Sequence, residues 1–298
     1  MTTVSPSRST STPVPLALWP VAQTSAQYQR ADRYLPECSE HPAKMIPALA
    51  RRIVEEFSEP GGLVVDPMCG IGTTLVEATA LSRRAVGVEY EHRWVDTATA
   101  NLDQMFTVTQ RRRVSVRAGD ARHLPELLGR RAGTVDLICT SPPYAGDAGL
   151  IDMGAGRGGR RVGRDHSFSC SPDRAALGHA RGRAYEGAMA EIYAACFEAL
   201  RPGGTLVTVT KNSRHRGRTF DLVGRTVALC QGAGFGYTQH IVALHAAIRN
   251  SVLVARPSSW QLTHTRRARQ HGEPVHLVVH EDVCVFVKPQ SSESAHGH

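Results

Sequence analysis

Residues 63–74 read Leu63-Val64-Val65-Asp66-Pro67-Met68-Cys69-Gly70-Ile71-Gly72-Thr73-Thr74, and this stretch decides the fold. It opens with three apolar residues typical of a buried strand, turns at two glycines, and continues into a helical pattern that reaches Leu81. Glycine lets the backbone turn tightly and approach a ligand closely. A strand that passes through such a turn directly into a helix predicts an α/β fold built on a parallel sheet.

The alternation of strands and helices continues on both sides of this stretch. The apolar spacing predicts further helices at Pro47–Ser58, His92–Phe106, Tyr185–Leu200 and Phe220–Gln231. It predicts further strands at Ala85–Val88, Val114–Arg117, Val135–Cys139, Thr205–Thr210, Tyr237–Ala246 and Val275–Val287. With residues 63–65 these make a mostly parallel, seven-stranded sheet with helices on both faces.

One domain accounts for residues 31–289. It carries a loop at 145–184, rich in glycine and arginine, and a small insert at 247–274. Residues 1–30 are rich in Ser, Thr and Pro, so we expect this segment to be disordered or extended. Residues 290–298 are expected to form a disordered tail for the same reason.

Composition narrows the class of protein. The chain has 298 residues, 41% of them hydrophobic, which is enough for a packed core. Its 35 Lys and Arg against 27 Asp and Glu give a formal net charge of +8, which favours an anionic partner such as nucleic acid. The sequence contains no apolar run of membrane-spanning length, so we expect a cytoplasmic protein without membrane contact.

Cysteine and histidine give no metal signature. The seven cysteines are scattered and odd in number and never form a CxxC pair, which argues against a disulfide framework and against structural zinc. No HExxH motif occurs among the 14 histidines. The sequence therefore predicts no metal site.

Polar residues follow four of the predicted strands where each one ends. Ligands of open α/β sheets bind beyond the carboxyl ends of the strands, so Asp66, Glu89 and Asp120 should gather with the Ser141 segment. A dinucleotide site is the alternative, but Leu75 stands where the third glycine of that motif belongs. Asp66 would also repel a pyrophosphate, whereas it suits the ammonium group of S-adenosylmethionine.

These residues resemble those of a known family. Residues 66–74 resemble the cofactor motif of the amino-methylating DNA methyltransferases, and His41-Pro42-Ala43-Lys44-Met45 resembles the segment that closes over the methionine end of the cofactor. The resemblance implies a Rossmann-like methyltransferase fold and S-adenosylmethionine as cofactor, with Glu89 on the ribose hydroxyls and Asp120 on the adenine amine. The expected cofactor-binding residues are His41, Pro42, Ala43, Lys44, Met45, Asp66, Pro67, Met68, Cys69, Gly70, Gly72, Thr73, Thr74, Glu89, Asp120 and Ser141.

The chemistry is predicted to lie in Ser141-Pro142-Pro143-Tyr144. An exocyclic base amine is a poor nucleophile because its lone pair is delocalised into the ring. The Ser141 hydroxyl and the Pro142 carbonyl can accept its protons and localise that lone pair, while the paired prolines fix the backbone. Tyr144 would stack on a base that has left the helix. This mechanism requires two predicted strands, the first at 63–65 and the fourth at Val135–Cys139, to end side by side.

The segment Thr140-Ser141-Pro142-Pro143-Tyr144 resembles the catalytic motif of these enzymes, in the version associated with cytosine-N4 methylation. Adenine-N6 enzymes more often carry Asp or Asn in place of Ser141. Carbon-5 methylation needs a nucleophilic cysteine, usually after proline, and no Pro-Cys pair occurs. We expect DNA amino methylation, cytosine N4 before adenine N6, of the restriction-modification type, with a recognition subunit or a nuclease as candidate partner.

Other functions stay open at this point. The first alternative is an RNA base methyltransferase, since tRNA guanosine-N2 enzymes share the fold and a related Pro-Pro-Tyr motif. A cofactor-binding protein without catalysis and a nicotinamide oxidoreductase are the remaining ones.

Basic residues indicate where nucleic acid would bind. The 145–184 loop carries Arg157, Arg160, Arg161 and Arg164, and the stretch after the fifth predicted strand carries Lys211, Arg214, Arg216 and Arg218. Both follow strand ends on the expected edge, so we predict phosphate contacts from them. Arg266, Arg267 and Arg269 form a third cluster, for which a solvated surface is an equal alternative.

Overall fold

A computed structural model describes residues 14–41, 43–143, 176–215 and 218–290. Its strands are β1 (Leu18–Pro20), β2 (Leu63–Asp66), β3 (Arg84–Glu89), β4 (Val114–Ala118), β5 (Val135–Thr140), β6 (Leu200–Thr210), β7 (Ser213–His215), β8 (Arg218–Phe220), β9 (Gly236–Leu244), β10 (Ala246–Arg249), β11 (Val252–Ala255) and β12 (His280–Val287). Its α-helices are α1 (Ala26–Arg30), α2 (Pro47–Phe57), α3 (Thr73–Ala80), α4 (His92–Met105), α5 (Val108–Arg111), α6 (Leu124–Leu128), α7 (Gly182–Ala199), α8 (Leu222–Gly232) and α9 (Ser259–Gln270).

The central sheet has eight strands in the order β1-β9-β12-β6-β5-β2-β3-β4. Only β12 runs antiparallel to its neighbours in this sheet, and the other pairings are parallel. The chain passes from β2 through β3 to β4 in one direction and from β5 to β6 in the other, so the strand order reverses between β2 and β5. This confirms the predicted Rossmann-like methyltransferase fold, with one strand more than the seven expected.

The extra strand lies in the N-terminal segment, which was expected to be disordered or extended. Within residues 1–30, Leu18–Pro20 pairs with the end of β9, and Ser25 caps α1 by accepting a hydrogen bond from the Tyr28 amide. Trp19 is buried in the core, and this anchors a stretch whose Ser and Pro content had suggested disorder. Residues 1–13, and residues 291–298 of the tail predicted at 290–298, lie outside the described residues.

The two long inserts differ in what the structure describes. The 247–274 insert folds into the β10-β11 hairpin and α9, which begins with a capping box made by Ser258 and Gln261. Most of the 145–184 loop lies outside the described residues, but its last part contains a 3-10 turn at Leu177–His179 and the start of α7 at Gly182.

Helices cover both faces of the sheet, as predicted. Leu49 and Ile53 of α2 and Leu75 of α3 pack on one face, and Met189 and Tyr193 of α7 pack on the other. Successive residues of β2 face opposite sides: Val64 lies in the first core cluster, and Leu63 and Val65 lie in the second. A strand buried on both faces explains the continuous apolar run of its sequence.

A glycine on β3 replaces the third glycine missing from the turn. A Cβ on Gly87 would stand 2.6 Å from Leu75 Cδ1 and 2.7 Å from Cys69 Sγ. Only a residue without a side chain therefore lets Leu75 and Cys69 pack onto β3. The close approach of helix and strand is kept, with the small residue on the strand instead of the helix.

In the described part of the chain, no helix combines the length and the apolar character that a bilayer crossing demands. No group of three or more His, Cys, Asp or Glu side chains there is arranged to hold a metal ion.

Candidate active site

The strands that carry the two predicted motifs are direct neighbours. β2 and β5 pair in parallel, with Val64 opposite Leu137 and Val65 opposite Ile138. Their carboxyl ends therefore release Asp66 and Ser141 at the same edge, next to the point where the strand order reverses. The expectation that these two strand ends lie side by side is confirmed.

One cavity opens at this edge and joins most of the predicted site. Its lining includes these predicted residues: His41, Ala43, Pro67, Met68, Gly70, Glu89, Asp120, Ser141, Pro142 and Pro143. Other residues predicted to bind the cofactor are described but do not line it: Lys44, Met45, Asp66, Cys69, Gly72, Thr73 and Thr74. Pro42 and Tyr144 lie outside the described residues. The cavity thus brings both motifs onto one surface.

Glu89 connects the glycine turn to the start of α4. Its Oε2 accepts a hydrogen bond from the Gly70 amide at 2.8 Å, and its Oε1 accepts one from the Glu91 amide at 2.9 Å. Burial raises the pKa of the Glu89 carboxyl to about 7, although these two hydrogen bonds favour the ionised form. A carboxylate held in this way is positioned to meet hydroxyl groups in the cavity.

Asp66 lies beneath the turn rather than in the cavity. Its Oδ2 accepts a hydrogen bond from the Thr74 hydroxyl at 2.7 Å, and its Oδ1 accepts one from the Met68 amide at 3.1 Å. Burial raises the pKa of Asp66 to about 6 against these hydrogen bonds. In this structure its contacts fix the turn to the first residues of α3.

The His41–Met45 segment lies over the glycine turn. Gly70 has φ +49°, and a Cβ there would stand 2.8 Å from His41 Nε2. Burial lowers the pKa of His41 to about 4, and the Lys44 charge adds to this shift. Lys44 Nζ donates to the His41 carbonyl at 2.6 Å, and Arg30 donates to the Met45 carbonyl at 2.6 Å. Arg30, which the sequence did not single out, therefore ties this segment to α1.

Arg122 is a cavity residue that the sequence reasoning missed. Its guanidinium pairs with Asp120, with Nη2 to Oδ2 at 2.6 Å, and its amide donates to Asp120 Oδ1 at 2.9 Å. Burial opposes ionisation of Asp120, but the hydrogen bonds and charge of Arg122 hold the pKa of that carboxyl below its usual value. In the sequence, the signal that could have identified Arg122 is its position two residues after Asp120, the aspartate at the strand end.

Tyr185 is the second missed residue, and it contacts the catalytic segment. Its phenolic hydroxyl donates a hydrogen bond to the Pro143 carbonyl at 2.8 Å. Tyr185 is buried near the start of α7, the helix that follows the long loop. The sequence predicted the helix but offered no signal for this contact, because the two residues are 42 positions apart.

The predicted nucleic-acid contacts are described in part. Lys211 and Arg214 follow the carboxyl end of β6, the neighbour of β5, so they leave the sheet at the cavity edge. Arg214 also forms an ion pair with Glu273 at 3.4 Å. Arg218 begins β8, while Arg157, Arg160, Arg161, Arg164 and Arg216 lie outside the described residues.

The chemistry of the cavity fits S-adenosylmethionine. Among the described residues, Glu89, Glu91 and Asp120 line it together with one arginine, Arg122, so carboxylates outnumber guanidinium groups there, which suits a ligand that carries a sulfonium and an ammonium. Gly70 lines the cavity, and its lack of a side chain leaves room for the His41 ring. The same carboxylates would repel the pyrophosphate of a dinucleotide.

Comparisons with known proteins agree with this fit. The family described as DNA methylase matches residues 5–100. The tRNA (guanine(10)-N2)-dimethyltransferase of Methanocaldococcus jannaschii is 32% identical over 106 residues, which cover 35% of this chain and 30% of that protein. The enzyme of the same name from Methanothermobacter thermautotrophicus is 36% identical over 105 residues, 35% of this chain and 29% of that protein. The chain thus matches less than a third of the length of these curated relatives.

Among solved structures, a SAM-dependent O-methyltransferase from Thermotoga maritima is similar with a TM-score of 0.48. Its sequence is 15% identical, and the alignment covers 85% of this chain and 70% of that one.

The fold and the cavity agree with the match to the DNA methylase family over residues 5–100, and S-adenosylmethionine is the cofactor that they support. This match confirms the resemblance to the amino-methylating DNA methyltransferases. The match contains the His41 segment, the glycine turn and Glu89, and it ends before the Ser141 motif.

Proposed function

We propose that the chain transfers a methyl group from S-adenosylmethionine to an exocyclic amine of a nucleic-acid base. One observation carries this proposal: β2 and β5 are neighbours, so the cofactor motif and the Ser141-Pro142-Pro143 segment line the same cavity. A methyl donor and an amine acceptor held in one cavity can react without a covalent enzyme intermediate, because orientation supplies much of the rate.

Ser141 and Pro142 would activate the amine. The bound cofactor supplies an electrophilic methyl group on its sulfonium. The Ser141 hydroxyl and the Pro142 carbonyl accept hydrogen bonds from the amine protons, which localises the nitrogen lone pair for attack on this methyl group, and the methylated nitrogen then releases one proton to water. Tyr185 donates to the Pro143 carbonyl, so it fixes the backbone next to the accepting group. Tyr144 would stack on the target base.

The remaining predicted residues would hold the cofactor. Glu89 faces the cavity with a positioned carboxylate and is assigned to the ribose hydroxyls. Asp120 is assigned to the adenine amine, a contact for which it must share its carboxylate with Arg122. The His41–Met45 segment covers the methionine end, and Asp66 supports that end by fixing the turn.

DNA is our first candidate substrate, with cytosine N4 before adenine N6. The DNA methylase family match supports DNA, and Ser141 at the head of the catalytic motif supports cytosine. The second candidate is guanine N2 of tRNA, which the names of the two curated relatives support. Both candidates use the same acceptor groups, since each target is an exocyclic amine. Lys211 and Arg214, with the arginines of the 145–184 loop, would bind the phosphates of either.

A labelling experiment tests the function and separates the candidates. Purified protein is incubated with tritiated S-adenosylmethionine and either duplex DNA or unmodified tRNA, and the digested nucleosides are identified. Labelled N4-methyldeoxycytidine supports the first candidate, and labelled guanosine from tRNA alone replaces it with the second. Absence of label from both substrates would refute amine methylation. Ser141→Ala should lose the label while it still binds the cofactor in calorimetric titration.

A further inference from the structure

An exposed apolar ribbon projects from the 247–274 insert. In the β10-β11 hairpin, Ile248 lies directly opposite Leu253, and these side chains are 53% and 54% exposed. The hairpin turns at Asn250 and Ser251, which both have positive φ, as tight two-residue hairpin turns require. Apolar side chains of this size are costly to expose to water, so their place at the end of a ribbon needs an explanation.

The surroundings of the ribbon are strongly basic. Residues 245–279 contain five arginines and one acidic residue, Glu273. Glu273 forms an ion pair with Arg214, which links the insert to the basic segment after β6. Arg249 is exposed within the hairpin, and Arg266 and Arg267 are exposed near the end of α9. Among the described residues, the insert thus combines an apolar tip with excess positive charge.

Strand directions place this insert at the cavity edge. β9 runs antiparallel to β12, which runs antiparallel to β6, so β9 and β6 point the same way. β6 is parallel to β5, whose carboxyl end carries Ser141. The hairpin leaves the carboxyl end of β9 and therefore stands on the same edge of the sheet as the proposed base pocket.

We infer that the β10-β11 hairpin and α9 form the surface that docks nucleic acid beside the target base. Ile248 and Leu253 contact the bases or sugars next to the target, in the manner of apolar wedges that help to unstack a base step. Arg249, Arg266 and Arg267 contact the phosphates. The inference rests on the proposed function and adds the location of the surface that holds the nucleic-acid substrate.

Charge favours nucleic acid over a second copy of the chain. Two copies that met at this surface in a symmetric contact would bring their exposed arginines together, with like charges facing each other. A polyanion pairs with the same arginines and releases its counterions on binding. The edge of β11 could also pair with the same edge of a second copy, so an experiment must distinguish self-association from nucleic-acid binding.

Two double variants with matched controls test the inference. Ile248→Ser/Leu253→Ser removes the apolar tip, and Val108→Ser is its control because Val108 is an exposed apolar residue beside the start of β4, on the opposite edge. Arg266→Ala/Arg267→Ala removes two charges, and Arg130→Ala/Arg131→Ala before β5 is the control. Affinity for a labelled DNA duplex and for a tRNA transcript is measured by fluorescence anisotropy across a salt series, for each protein with cofactor bound.

For the substrate that the wild-type protein methylates, the serine variant should lose about 10-fold in affinity with an unchanged salt slope. The arginine variant should lower the magnitude of the salt slope by about 2. Cofactor affinity and both controls should stay at wild-type values, which shows that folding is intact.

Nucleic-acid affinity within twofold of wild type in both double variants would overturn the inference while wild-type methyl transfer still stands. A wild-type dimer that the serine variant converts to monomers, with unchanged nucleic-acid affinity, would assign the surface to self-association instead. Failure of the wild-type protein to methylate either nucleic acid would count against the proposed function itself.

Discussion

Tyr185 and Pro143 join two elements that are far apart in the sequence. The Tyr185 hydroxyl donates to the Pro143 carbonyl at 2.8 Å, so the start of α7 holds the backbone at the end of the catalytic segment. Pro143 has no amide hydrogen of its own with which to anchor this backbone. The position of the neighbouring Pro142 carbonyl therefore depends in part on a side chain that lies outside the motif.

Tyr185→Phe should slow methyl transfer and leave cofactor binding unchanged. Loss of one hydrogen bond costs about 1 kcal/mol, so we expect kcat to fall by about 5-fold with an unaltered KM for S-adenosylmethionine. Steady-state kinetics check this split. Tyr193→Phe is the control, because it removes another buried phenol of the same helix, away from Pro143. An equal loss of kcat in both variants would mean that only helix stability is affected.

Cofactor affinity should increase with pH through about 7. Hydroxyl donors bind the ionised Glu89, so binding lowers the raised pKa of that carboxyl and releases a proton. Below pH 7 the proton must first be removed, and affinity is weaker. Isothermal titration calorimetry in buffers of different ionisation enthalpy measures both the affinity and the proton release. Glu89→Gln should bind more weakly and show a flat profile between pH 6 and 8; a pH-dependent profile in this variant would assign the proton to another group.

In the protein without ligand, Asp66 and Glu89 should contribute a stability that is lost as the pH rises from about 4 to about 7. Burial raises the pKa of Asp66 to about 6 and that of Glu89 to about 7, whereas both carboxyls titrate near 4 in an unfolded chain. In this window the two carboxyls hold more protons in the native state than in the unfolded state, so their contribution falls with increasing pH, whereas His41, whose pKa burial lowers to about 4, contributes to the free energy of unfolding in the opposite direction. Urea denaturation at several pH values measures it. Glu89→Gln should flatten the upper part of the decline, and an undiminished slope would contradict this assignment.

Gly70→Ala should weaken cofactor binding. Its φ of +49° costs an alanine about 1 kcal/mol, and the new Cβ would also meet the His41 ring at 2.8 Å. Gly133→Ala is the matched control, because Gly133 also has a positive φ of +75° but no heavy atom within 4 Å of the added Cβ. Both variants should be destabilised in thermal melts, while only Gly70→Ala should weaken S-adenosylmethionine binding, by about 10-fold or more. Equal cofactor affinities in the two variants would remove His41 from the site.

The strand-end residues could be predicted from the sequence because their signal is local. Glu89 directly follows the apolar run of its strand, Asp120 comes two residues after the end of β4, and the direction of parallel strands then brings them to one edge. The missing third glycine shows the limit of such local patterns. The space for Leu75 is made by Gly87 on the next strand, and only the packing of two separate elements reveals that exchange.

The parts that could not be predicted depend on contacts distant in sequence. Tyr185 reaches Pro143 through the placement of α7, and Trp19 anchors a strand inside a segment whose composition suggested disorder. The base target is a further case, because an exocyclic amine of cytosine and one of guanine call for the same acceptors. The Ser141-Pro142-Pro143 segment therefore does not by itself distinguish cytosine from guanine.

The three residues of β1 form the margin of the sheet beyond β9, on the side away from β2 and β3. Leu18–Pro20 covers the last three residues of β9, and its final residue is a proline, which has no amide to offer a further strand. Removal of the chain up to Pro20 would uncover the backbone amide of Val242, which donates to the Ala17 carbonyl at 3.0 Å. A shortened protein of this kind should self-associate or aggregate through strand addition, so the N-terminal segment protects solubility as well as structure.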